Sequence, residues 1–131
     1  MVRNNYNSNN NNQDTLDPYY VHPSKNPTTV CVTPLLSGDN YHDWALKMRR
    51  ALATKSKFKF VDGSMQIPKE DDLNFSVWER CNNLVHSWIV NSTTPSVAES
   101  IAFIENEIDV WNNLKGSVYA RKSNSHLSTS M

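Results

Sequence analysis

The stretch from Phe75 to Ser92, FSVWERCNNLVHSWIVNS, leaves this chain little choice of fold. Phe75, Trp78, Val85, Trp88 and Ile89, with Cys81 and Leu84 between them, recur at the three-and-four spacing that lines one side of an α-helix. A helix from about Asp72 to Asn91 spans roughly 30 Å at 1.5 Å per residue, enough to touch every other helix of a small domain. Two tryptophans on one stripe make it the expected keel of a core.

The neighbouring segments read as parts that pack on this keel. Thr28 to Leu36, TTVCVTPLL, is β-branched and apolar. Pro34 limits any strand there to an edge, so the expectation is an extended lead-in laying Val30, Val32, Leu35 and Leu36 on the helices. Ser37 to Asn40 reads as a turn in which the Asn40 side chain caps a helix through the backbone at Asp43. That helix runs from about Tyr41 to Lys55, with Tyr41, Trp44, Ala45, Met48, Ala51 and Leu52 on one face, and Leu46 off it facing a second surface. Lys57 to Val61 alternates polar and apolar and reads as a short extended piece before the Asp62-Gly63 turn.

After Asn91, Thr94 and Pro95 mark a helix start, with Val97, Ala98, Ile101 and one of Phe103 or Ile104 turned inward. Asn106 with Asp109 marks another, continued by Ile108, Trp111 and Leu114. Four helical segments over about 90 residues describe a small all-α, four-helix bundle. Trp44, Trp78, Trp88 and Trp111 supply much of its buried area.

The ends differ in composition. Residues 1–27 open with an asparagine run and hold almost no aliphatic side chains, and 119–131 are polar and serine-rich. Neither can bury enough apolar surface to offset its ordering entropy. The organisation expected is therefore a disordered arm over 1–27, a helical domain over 28–118 and a disordered tail over 119–131. Hydrophobic content of 38% over 131 residues agrees with a chain only partly folded.

Formal net charge is zero, without the basic excess of a dedicated nucleic-acid binder. The order of the charges says more than their sum. Lys47, Arg49, Arg50, Lys55, Lys57 and Lys59 follow one another without an acid between Asp43 and Asp62, while Glu70, Asp71 and Asp72 form one acidic cluster and Glu99, Glu105, Glu107 and Asp109 another. Three readings fit: solvated faces, a dipolar surface that steers one copy onto another, or a basic strip that touches RNA or DNA phosphates.

Nothing in the sequence assembles chemistry. His22, His42, His86 and His126 are scattered, and none has metal-ligand spacing with a cysteine or acid. His86 reads as a helix-surface histidine and Cys81 as a buried, inert thiol. The glycines Gly38 and Gly63 stand in turns and form no phosphate loop. We therefore expect no catalytic residue, no cofactor, no metal and no small-molecule substrate. The two cysteines, Cys31 and Cys81, read as reduced thiols, and no apolar run reaches the roughly 18 residues of a membrane span. A cytoplasmic protein without membrane contact is the corresponding expectation.

Three stretches carry a family likeness: Leu35 to Trp44, LLSGDNYHDW; Phe60 to Pro68, FVDGSMQIP; and Trp78 to Ser92, WERCNNLVHSWIVNS, followed by Ile101 and by Trp111 to Leu114. In this order and spacing the chain, over roughly residues 22 to 115, resembles the N-terminal part of the Gag polyprotein of copia-type LTR retrotransposons, elements that plant genomes carry in many copies. The resemblance implies a helical, capsid-like module that multimerises, Gag on Gag, into a particle enclosing element RNA. It also implies framework roles for Gly38, Asn40, Tyr41 and Trp44 at the first helix, and packing roles for Trp78, Cys81, Asn82, Trp88, Trp111 and Leu114. Two departures stand out: Glu107, where relatives tend to have a small residue, and Gly116-Ser117, where they continue with charged and aromatic residues. No zinc knuckle, protease, integrase or reverse-transcriptase sequence is present, so the resemblance suggests a truncated or relic copy.

Overall fold

The computed structural model describes residues 17–21 and 30–116. Most of the expected arm and all of the expected tail lie outside the described residues. Those described form five helices and no strand: α1 Tyr41–Thr54, the single turn α2 Lys59–Asp62, α3 Phe75–Asn91, α4 Pro95–Ile101, and α5 over 107–116. The four expected helical segments are α1, α3, α4 and α5.

The keel forms as its spacing dictates. α3 buries Trp78, Cys81, Asn82, Val85, Trp88 and Ile89, and both of its tryptophans belong to the one apolar core. α1 answers with Tyr41, Trp44, Met48 and Leu52, all buried. The rings of Trp44 and Trp111 lie 6.0 Å apart, and Phe58 meets the far side of this pair, edge to face with Trp111 at 6.0 Å. Such ring pairs add roughly 1 kcal/mol each beyond the area they bury.

A buried serine joins the lead-in to the keel. Val30, Val32 and Leu36 are buried, whereas Leu35, expected inward, leaves 37% of its surface exposed. No strand forms; the contact is an isolated parallel bridge between Leu36 and Thr93. The Ser92 carbonyl accepts from Leu36 N–H at 2.9 Å and from the Trp44 indole at 2.7 Å. Its hydroxyl accepts from Val32 N–H at 2.9 Å and donates to the Trp88 carbonyl at 2.9 Å. One residue just past α3 thus satisfies polar groups of the lead-in and α1 that burial would otherwise leave unpaired.

Several local expectations are corrected. Asn40 makes no side-chain cap on α1; its oxygen accepts from Ser37 N–H at 3.0 Å and its amide donates to the Leu35 carbonyl at 2.9 Å, so it closes the preceding turn. Lys57 to Val61 is not extended, because Phe60 N–H bonds to the Lys57 carbonyl and Val61 N–H to that of Phe58. A 100° helical step puts Phe58 and Phe60 on nearly opposite sides of the turn, and each finds its own apolar neighbour, Phe58 at Trp111 and Phe60 at Tyr19, so the alternation does not mark one face of a strand. α2 ends at Gly63, whose φ of +83° suits a residue without Cβ. Phe103 points into water and Ile104 is half-buried.

Candidate functional site

A buried polar cluster lies between α3 and α5. Asn82 and His86 stand four residues apart on α3 and so share a face, and Glu107, the first residue of α5, packs against both. The Asn82 side-chain oxygen accepts from Glu107 N–H at 3.0 Å, and its amide donates to the Glu105 carbonyl at 2.8 Å. The start of α5 is therefore held from α3, in addition to the backbone bonds that Asp109 and Val110 make to the Asn106 carbonyl. His86 Nδ1 lies 2.6 Å from Glu107 Oε1.

Glu107 is 1% exposed, and its Oε2 has no hydrogen-bond partner. Burial pushes its carboxyl up to about 8 and pulls the His86 imidazole below its ordinary value. Both shifts favour the uncharged forms, in which the protonated carboxyl donates to the neutral ring. Glu107, counted in an acidic cluster by its place in the sequence, is buried, and His86, read as a helix-surface histidine, keeps 27% of its side chain exposed while its Nδ1 meets that acid. The signal was present in Glu107, Val110 and Leu114, whose spacing of three and seven marks one helix face, and all three are buried. Ser92 carried no comparable signal.

A second polar contact ties down part of the expected arm. Lys57, counted in the basic strip, is 2% exposed, and its amine donates to the Tyr20 carbonyl and, at 3.4 Å, to that of Lys55. Burial lowers its affinity for the proton. The Cys81 thiol, whose pKa burial raises, donates to the Tyr19 carbonyl at 3.4 Å. The Tyr19 ring stands edge to face with Phe60 at 6.2 Å. Residues 17–21 thus pack on the domain, because Tyr19 and Val21 supply apolar surface that the asparagine run lacks.

The remaining predicted contact residues stay near the surface. Lys47, Arg49, Arg50 and Lys59 are exposed and Lys55 half-exposed. Lys47 donates to the Thr33 carbonyl at 3.2 Å, and the Arg49 guanidinium lies 5.3 Å over the Phe58 ring. The strip expected to touch nucleic acid is therefore one cation shorter, with two of its members in contacts inside the molecule. Of the framework residues, Tyr41, Trp44, Trp78, Cys81, Asn82, Trp88 and Leu114 are buried, while Gly38, Asn40 and Trp111 are half-buried. Among the described residues no three histidine, cysteine or acidic side chains group as a metal site, and no helix is long and apolar enough to cross a membrane. An open groove between α3 and α4 is lined by His86, Ser87, Val90, Asn91, Ala98, Glu99 and Ala102.

The architecture is that of a small helical domain whose internal polar groups hold elements together. Residues 22–69 match the family model of the Gag-polypeptide of LTR copia-type, so this segment is similar to a copia-type Gag N-terminal region. The match spans less than half of the chain; it takes in α1, α2 and two of the three stretches that carried the resemblance, Leu35 to Trp44 and Phe60 to Pro68, and the third lies beyond it. No curated protein and no solved structure gives a significant match to the chain.

Proposed function

We propose that this chain is a non-enzymatic, capsid-like Gag module that self-associates in particle assembly. The observation that carries the proposal is the sorting of its surface charge. Exposed Lys47, Arg49, Arg50 and Lys59 follow one another on and just after α1 with no acid between Asp43 and Asp62, and exposed acids cluster at Glu70, Asp71 and Asp72 and at Glu99, Glu105 and Asp109. Among the described residues no lysine or arginine forms a salt bridge with an acid, so the two sets do not neutralise each other within a copy. Complementary charges left open in this way steer encounter between copies and set its register.

Sedimentation velocity of the full chain over a range of concentration and salt tests this. Oligomers that grow with concentration and dissociate as salt screens the charges are expected. A monomer under every condition would remove the reading.

A further inference from the structure

α1 turns Tyr41, Trp44, Met48 and Leu52 inward and leaves its other side in water. There Leu46, Arg49, Arg50 and Ala53 fall at i, i+3, i+4 and i+7 and form one ridge. All four are exposed. Leu46 leaves 49% of its surface in water, an apolar tip set among cations. Arg50 makes no salt bridge with a described acid.

The α3–α4 groove has the opposite character. Val90, Ala98 and Ala102 give it an apolar lining, and the two alanines, one helical turn apart, leave room for a bulkier side chain. Glu99 supplies its charge. Phe103, next to Ala102, stands in the solvent, and the exposed Glu105 follows.

Resting on the self-association reading, we propose that the α1 ridge of one copy seats in the α3–α4 groove of a second copy, with Leu46 against Val90, Ala98 and Ala102 and Arg50 against Glu99. Charge complementarity selects this pairing. Ridge on ridge sets arginine against arginine, and groove on groove sets Glu99 against Glu99. Ridge in groove alone brings opposite signs together around an apolar centre. Because the two surfaces differ, the contact is head-to-tail, and a pair keeps one free groove on one copy and one free ridge on the other for further growth into a ring or an open array.

The test is sedimentation of the full chain and of three variants, Leu46→Ser, Arg50→Glu and Glu99→Arg, with circular dichroism to show that each folds. All three positions are exposed, so the fold should survive. Each variant is expected to weaken association by roughly tenfold or more. Arg50→Glu and Glu99→Arg combined in one chain, or mixed as two chains, restore the opposite signs and should restore association. A wild type that associates while all three variants associate equally well overturns this interface and leaves self-association standing. A wild type that stays monomeric overturns both.

Discussion

Glu107 and His86 form a buried acid–imidazole contact of 2.6 Å in which the second carboxyl oxygen meets no donor. A charged carboxylate there would carry an unpaired oxygen into the interior, at a cost that a neutral acid largely avoids. Burial holds the folded-state carboxyl near 8, against 4.5 unfolded. A group that binds its proton more tightly when folded contributes stability that is present at low pH and lost as pH rises through the folded value. His86, with a lowered folded value, acts in the opposite sense below 6.5, its unfolded value. The two effects oppose each other up to that point, and above it Glu107 acts alone. Stability should therefore fall between about pH 6.5 and about 8, by at most roughly 1.4 kcal/mol per pH unit. Glu107→Gln keeps a donor toward Nδ1 and removes the ionisation, so its denaturation midpoint should be flat across that window. A wild type equally flat would contradict the buried neutral acid.

Ser92 is the residue on which the lead-in, α1 and α3 converge. Replacing it with alanine leaves Val32 N–H without its 2.9 Å partner in a fully buried position. The expected loss is about 2 kcal/mol, a fall in melting temperature on the order of 10 °C for a domain of this size. Ser87 makes a similar hydroxyl bond within the same helix, to the Leu84 carbonyl, but is exposed. Ser87→Ala should change stability by no more than about 0.5 kcal/mol.

Two glycines should respond with opposite signs. Gly63 has φ +83°, and a Cβ there would lie 3.3 Å from Ile108 Cδ1. Gly63→Ala is expected to cost about 1–2 kcal/mol, since an L side chain is disfavoured in that conformation. Gly116, at the end of the described part of α5, has open space around it, and Gly116→Ala should be neutral or stabilising by up to about 1 kcal/mol. Urea titration of the two variants separates backbone strain from any general intolerance of substitution.

The periodic stripes of α1 and α3 were readable because nearly every buried position on them is a bulky apolar residue, and a 3.6-residue period over fourteen or seventeen residues is hard to imitate. α2 was not readable, because four residues hold too little of any period. The polar interior was hidden for a different reason. Glu107, Lys57 and Ser92 are residue types that normally face water, and what makes their burial tolerable is a partner far away in sequence: His86 for Glu107, Tyr20 for Lys57, Val32 for Ser92. Asn40 shows the same limit on a small scale. Its position invites a helix cap, yet the Leu35 carbonyl and the Ser37 amide, brought close by the turn, compete successfully for its side chain.

The contact of Lys57 with Tyr20 gives the last prediction. Its amine is the polar anchor of residues 17–21, while Cys81 contributes a weaker bond from its thiol to Tyr19 and Phe60 an apolar contact. Replacing a buried amine with a side chain of similar length and no charge removes a desolvation cost along with the hydrogen bond. Lys57→Met should therefore leave the global melting temperature within a few degrees of the wild type. The segment itself loses its anchor. Tyr20 N–H, bonded to the Asp17 carbonyl at 3.0 Å, should exchange with deuterium roughly tenfold faster in the variant, while core amides such as Trp78 N–H exchange at unchanged rates. Equal exchange at Tyr20 in the two proteins would mean that the ring contacts alone hold the segment and that the amine is not its anchor.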